Sequence, residues 1–97
     1  MAIHYYIYKV HYNTYKKHIE KVMTTRSLEY PEALEKSRTQ VVKDIDNLEL
    51  TIYTAPARFG RLVAGAKVIT EYLDGEHYIK TVRDKRKEDN LDELPRY

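Results

Sequence analysis

No cysteine occurs among the 97 residues. That excludes a disulfide scaffold, a thiolate zinc site and a thiol nucleophile. Tryptophan is also absent, phenylalanine occurs once, and glycine and proline three times each. A glycine-rich phosphate loop therefore has nowhere to form. The stretch RFGRLVAGAK carries Gly60 and Gly65 but lacks the Lys-Ser/Thr ending that such a loop needs. No apolar run approaches the roughly 20 residues of a membrane span. The first residues, Ile3, His4, Tyr5 and Tyr6, lack the cationic-then-apolar order of a secretory signal. Charge of one sign is missing too: 17 Lys and Arg face 15 Asp and Glu, a net of +2. So small an excess makes no whole-molecule field for nucleic acid, although a local basic face remains open. The length is that of one domain with a small core. These exclusions lead to the expectation of a soluble cytoplasmic domain with no membrane partner.

Tyrosine is what the chain has in excess, at ten residues. Tyr5, Tyr6, Tyr8, Tyr12 and Tyr15 crowd the beginning. Tyrosine favours strands because its ring packs on a half-buried pleat while its hydroxyl stays wet. Two readings stand side by side: a tyrosine-rich sheet in a protein too small to hide large residues, and a stacking platform for bases. Positive charge exceeds negative in residues 1–30 and 51–83, and the reverse holds in residues 31–50.

Residues 3–12 (IHYYIYKVHY) read as a strand. Alternation puts Tyr6, Tyr8, Val10 and Tyr12 on one face and Ile3, Tyr5, Ile7, Lys9 and His11 on the other. Residues 18–25 read as its antiparallel partner, with Ile19 and Met23 on one side and Val22 on the other. Pro31 blocks a helix through Tyr30, and PEALEK reads as the start of a short helical turn. Ser37 with Gln40 fits a capping box and opens the clearer helix, whose apolar stripe is Val41, Val42 and Ile45. Lys43, Asp44 and Asp46 fall on its exposed side, and Asn47 on its C-cap. Residues 48–54 return to strand alternation through Leu48, Leu50 and Ile52, and Pro56 ends them. ARFGRLVAG reads as a loop. Asp74-Gly75 between two alternating runs is the strongest hairpin signal in the chain.

The order is thus β-β-α-β-β-β followed by a tail. The expected fold is α+β: a twisted, mostly antiparallel sheet or small open barrel of about five strands with one packed helix. Residues 1–83 are expected to form a single domain, and the charged tail 84–97 to dock through Leu91 and Leu94, either on this sheet or across on a second subunit or partner. The expected core is Ile7, Val10, Ile19, Val22, Val41, Val42, Ile45, Leu50, Ile52, Val68, Ile79 and Leu94.

The segments TIYTAP, GAKVITEYLDGEHYIKTV and EDNLDELPRY, with SRTQVVKDI before them, resemble the family catalogued as domain of unknown function 3892. The resemblance rests on Ile7 and Val10, Val41 and Val42, Tyr53 and Thr54, Gly65 to Val68, Tyr78 to Thr81, and Asp89 to Pro95. It spans nearly the whole chain, and the Asp-Asn-Leu-x-x-Leu-Pro ending is its most specific part. Asn47-Leu48 departs from it where glycine is expected. The resemblance implies a small prokaryotic protein and supports the fold reading. It brings no chemistry, because the family has no established activity.

Chemistry read from the residues points away from catalysis. His4, His11, His18 and His77 show no metal-ligand spacing, so no metal or other cofactor is expected. Ser27 and Ser37 lack a nucleophile-elbow context, and Ser37 serves as a cap. A chain this short has little room for a deep catalytic pocket. Arg58-Phe59-Gly60-Arg61 brackets an aromatic with two guanidinium groups, suited to phosphate and to a base. Lys16, Lys17 and His18 with Tyr12 and Tyr15 form a second basic-aromatic cluster. The first reading is a non-catalytic binding domain for a phosphate-bearing ligand, nucleic acid or nucleotide, on these residues. The alternative is a protein-protein module that self-associates as a homodimer through a tyrosine-rich sheet.

Overall fold

The computed structural model describes residues 3–13, 18–82 and 90–97. Strand β1 (Tyr5–Tyr12) and strand β2 (Ile19–Thr25) form an antiparallel hairpin. Strand β3 (Leu34–Ser37) pairs antiparallel with β2, and strand β4 (Ile52–Thr54) runs parallel to β1. The four make one open sheet in the order β3-β2-β1-β4. Helix α1 (Arg38–Asp46) follows β3 directly. Two small antiparallel hairpins complete the strands: β5 (Ala57–Arg58) with β6 (Arg61–Leu62), and β7 (Val68–Leu73) with β8 (Glu76–Thr81). The class is α+β, as the sequence implies. The main sheet, however, is mixed and open, with no closed barrel, and the small hairpins stand beside it.

Three strands are added: β5 and β6, a short hairpin within the stretch that reads as a loop, and β3, where PEALEK suggested a helical turn. A lone turn fixes several residues for one hydrogen bond. The free edge of β2 offers Leu34–Ser37 a full ladder instead, and Thr24 adds a side-chain hydrogen bond of 2.7 Å to the Leu34 carbonyl. Helix α1 then begins where its cap predicts. Ser37 is extended, and its hydroxyl accepts from the Gln40 backbone N–H at 3.1 Å.

Simple alternation fails on β1 and β2 for one reason: bulges. Tyr8 is an extra residue between the Ile7–Thr24 and Lys9–Met23 pairs, and Glu20 is extra between His11–Lys21 and Tyr12–Ile19. A bulge shifts the side-chain phase by one. Ile7 and Val10 therefore share the core face despite their odd spacing, and so do Ile19 and Val22. The strand expected over 48–54 shortens to three residues for a different reason. The exit from α1 needs a left-handed residue, and that is Glu49 at φ 53°. Leu48 is turned out to solvent there, while Leu50 packs partly against the core.

The core lies between the sheet and a layer made of α1, the β7–β8 hairpin and the C-terminal segment. Ile7, Val10, Val22, Val41, Ile52 and Val68 are its most completely buried members. Ile45 is only partly buried against it, and Tyr5 and Leu91 join it. Leu91, in a 3₁₀ turn (Leu91–Glu93), and Leu94 are each 3% exposed. The chain then runs beside β1: Val10 N–H donates to the Pro95 carbonyl at 2.9 Å, and Tyr97 N–H donates to the Val10 carbonyl at 3.1 Å. β4 covers the first half of β1 on that side and this segment meets the second half.

Asp74 and Gly75 sit at φ 50° and 81°, the two positive angles of a primed hairpin turn. A Cβ on Gly75 would meet nothing within 4 Å, so only backbone strain opposes a side chain there. Gly75→Val is expected to cost about 1 kcal/mol, a melting temperature lower by roughly 5 °C. An unshifted thermal melt would contradict the turn geometry.

Candidate functional site

Among the described residues, two surface places combine cationic and aromatic side chains in a way that suits a ligand. The first is the tip of the β5–β6 hairpin. Phe59 and Gly60 are its two central residues, at φ 53° and 78°. Such a turn favours Asn-Gly, because asparagine tolerates the left-handed region. Here a phenylalanine occupies that position with its ring entirely in solvent, at 102% exposure. Arg58 and Arg61 face each other across the hairpin as a register pair. Like charges directly opposite weaken a ladder. Neither the exposed ring nor the positive φ at Phe59 stabilises the turn.

Behind the tip is a hollow of about 660 Å³, lined by Gly60, Arg61 and Leu62 on one side and Leu28, Glu29 and Pro31 on the other. The second wall is a pinned loop. Arg26 donates through Nε and Nη2 to the two Glu32 oxygens at 3.0 and 2.8 Å. That fork holds the Glu32 carboxyl down at about 2. Thr25 Oγ1 accepts from the Glu32 and Ser27 backbone N–H groups.

The second place is a cleft of about 400 Å³ where the ends of β1, β2 and β8 meet the start of α1. Arg38 Nη1 donates to His18 Nδ1 at 2.9 Å. A guanidinium cannot accept, so Nδ1 is the bare nitrogen of that ring. The Arg38 guanidinium also lies 5.4 Å from the centre of the Tyr78 ring, and the His18 and Tyr78 rings are 5.0 Å apart. Tyr78 donates to Glu76 at 2.9 Å; that bond, and then burial, push its phenol up.

Helix α1 is anchored by a buried polar centre that the sequence reading placed in solvent. Asp44 is only 2% exposed. It accepts from the Tyr5 hydroxyl at 2.7 Å, Gln40 Nε2 at 2.8 Å and Lys36 Nζ at 3.3 Å. Lys36 also lies 4.4 Å from the centre of the Tyr5 ring. Burial pulls the Asp44 carboxyl up, but the Tyr5 and Gln40 hydrogen bonds and the Lys36 ammonium together hold it below the usual range. Burial, and then Asp44, push the Tyr5 phenol well above its ordinary value. The stripe of Val41, Val42 and Ile45 gives no sign of this, because a short carboxylate beside the stripe looks solvated until two strands arrive beneath it.

The residues singled out in the sequence divide between the two places. Arg58, Phe59 and Arg61 make the hairpin tip. Tyr12 lines the cleft, with the Arg96 guanidinium 4.3 Å from its ring centre. The hairpin follows Thr54, which is aligned with Ile7. Tyr12 is therefore roughly 15 Å further along β1. Tyr15, Lys16 and Lys17 lie outside the described residues. Arg38, His18 and Tyr78 were not singled out together, since they come from three distant segments. Among the described residues no three His, Asp or Glu side chains gather as metal ligands, and no helix is long and apolar enough to cross a membrane.

The model of a family described as protein of unknown function (DUF3892) matches residues 6–95. The chain belongs to this family. The match runs from β1 to the C-terminal segment, so the DUF3892 unit includes both the hairpin tip and the cleft. No curated protein and no solved structure matches the chain.

Proposed function

We propose that this DUF3892 protein is a non-catalytic binding domain for single-stranded nucleic acid, with the β5–β6 hairpin as its contact. One observation carries the reading: a fully exposed Phe59, held at positive φ between two facing arginines. Strain and exposed apolar surface kept at one point are the mark of a contact made elsewhere. Arg58 and Arg61 present planar forks to backbone phosphates, and Phe59 offers a ring on which a base stacks.

Anisotropy titration with mixed-sequence oligonucleotides at about 50 mM salt is expected to give micromolar binding. Arg58→Ala with Arg61→Ala should weaken it about tenfold or more and reduce the salt slope by about 1–2. Phe59→Asn separates function from fold. It should stabilise the turn by about 1 kcal/mol while binding falls by 1–3 kcal/mol, the worth of one stacked base. No binding at low salt, or a Phe59→Asn protein that binds undiminished, would sink the proposal.

The outer face of the sheet favours a second reading. Tyr6, Tyr8, Met23 and Tyr53 lie half-buried there, away from the core. Under that reading two copies pair through this face. Sedimentation would show a dimer that Tyr6→Glu dissociates and Arg58→Ala does not.

A further inference from the structure

We infer that the Arg38–His18–Tyr78 cleft is a second, separate site, and that it takes a small planar anion: a flat ring bearing a phosphate or carboxylate. Its charge selects the ligand. Among the described residues that line the cleft none is acidic, whereas Arg38, Lys80 and His18 all line it. Lys80 is paired with Glu71 at 3.2 Å, so the uncompensated charge is that of Arg38. Among the described residues Arg38 has no carboxylate partner; it meets a neutral nitrogen of His18 and the face of Tyr78. A guanidinium has five N–H donors, and His18 takes one, which leaves a fork for an anion. These two contacts also hold the long side chain in place, so little ordering remains when a ligand arrives.

Shape supplies the rest. Ile19, Ile79 and Leu91 form an apolar floor, with Ile19 and Ile79 at 8% and 7% exposure. The Tyr12 and Tyr78 rings are walls, and Thr81 Oγ1 donates to Asn90 Oδ1 at 3.2 Å, which leaves the Asn90 amide N–H groups to donate at the rim. About 400 Å³ is the size of a small-ligand pocket. A mononucleotide has the right parts: its phosphate on Arg38 and its base on the apolar floor. A polymer is a poorer match, because the cleft is a local recess and the extended basic-aromatic tip is elsewhere.

The test is titration of the full chain with adenosine 5′-monophosphate, read from the ring resonances of His18 and Tyr78. Saturable shifts are expected below about 10 mM, with adenosine and inorganic phosphate each at least about tenfold weaker. Arg38→Gln should lower affinity about tenfold or more, and Arg38→Lys, which keeps the charge without the fork, should fall between. If Arg38→Gln does not fold, Arg38→Lys decides alone. The Arg58→Ala, Arg61→Ala protein should bind the mononucleotide as wild type does, so failure of the hairpin reading would leave this one standing. No shift at about 10 mM, or unchanged affinity in both Arg38 variants, would overturn the site. Inorganic phosphate binding as tightly as the mononucleotide would overturn its preference for a ring.

Discussion

Asp44→Ala is expected to lower stability by about 3 kcal/mol, and the melting temperature by roughly 15 °C. The carboxylate ties β1, β3 and α1 through Tyr5, Lys36 and Gln40. Its removal strands the Tyr5 hydroxyl in the core, where an unmet donor costs most. Lys36 loses less, because it can turn to water. Asp44→Asn keeps the shape and an acceptor for Tyr5, so it should be clearly milder. The same group sets a pH dependence. Asp44 titrates lower when folded than when unfolded. Its contribution is therefore complete above the unfolded value of about 4, and is lost as pH falls through the folded one. Wild type should lose stability in that acid window, and Asp44→Asn should lose less of it. Thermal melts across the window measure both, and equal acid slopes would refute the assignment.

Leu94→Ala is expected to cost about 2–5 kcal/mol, a large share of the roughly 5–15 kcal/mol that holds a domain of this size. Leu94 is a core residue rather than part of a solvated tail, and the strand-like run of Pro95 to Tyr97 is bonded to Val10 on both sides. Leu91, three residues earlier, floors the cleft. Loosening this segment should therefore also weaken mononucleotide binding. Leu94→Met preserves volume and should cost less than about 1.5 kcal/mol. A Leu94→Ala protein that melts within about 2 °C of wild type would place the segment outside the cooperative core.

The functional readings depend on how these elements are placed. The Asp44 centre fixes the seat of α1 on the sheet, and α1 begins with Arg38. The cleft is therefore only as ordered as that anchor. The hairpin tip belongs to a different sheet: among the described residues β5 and β6 pair with each other and not with the strands beneath α1. This independence is why variants at the two places should separate cleanly in binding experiments.

Local chemistry made several features legible from the residues alone. Asp74-Gly75 specified its turn, because few pairs accept two positive φ angles. Ser37 specified the start of α1, because its hydroxyl reaches an N–H three residues on. The apolar residues named as core lie in or against it, because burial follows side-chain type. Arg58 and Arg61 were visible as a bracket around Phe59, since they are adjacent in sequence. What depended on partners distant in sequence was not legible. The bulges at Tyr8 and Glu20 invert the face of everything beyond them, and nothing local announces them. Leu34–Ser37 became a strand because β2 had an open edge. Asp44 was buried because Tyr5 and Lys36 came to meet it. Arg38, His18 and Tyr78 became a cleft only when a helix start, a strand start and a hairpin converged. The sequence by itself determined the turns, the cap and the apolar inventory, all of which are short-range. Register, burial of charge and the assembly of the cleft were decided by the tertiary structure, because their energies are set by neighbours that only folding supplies.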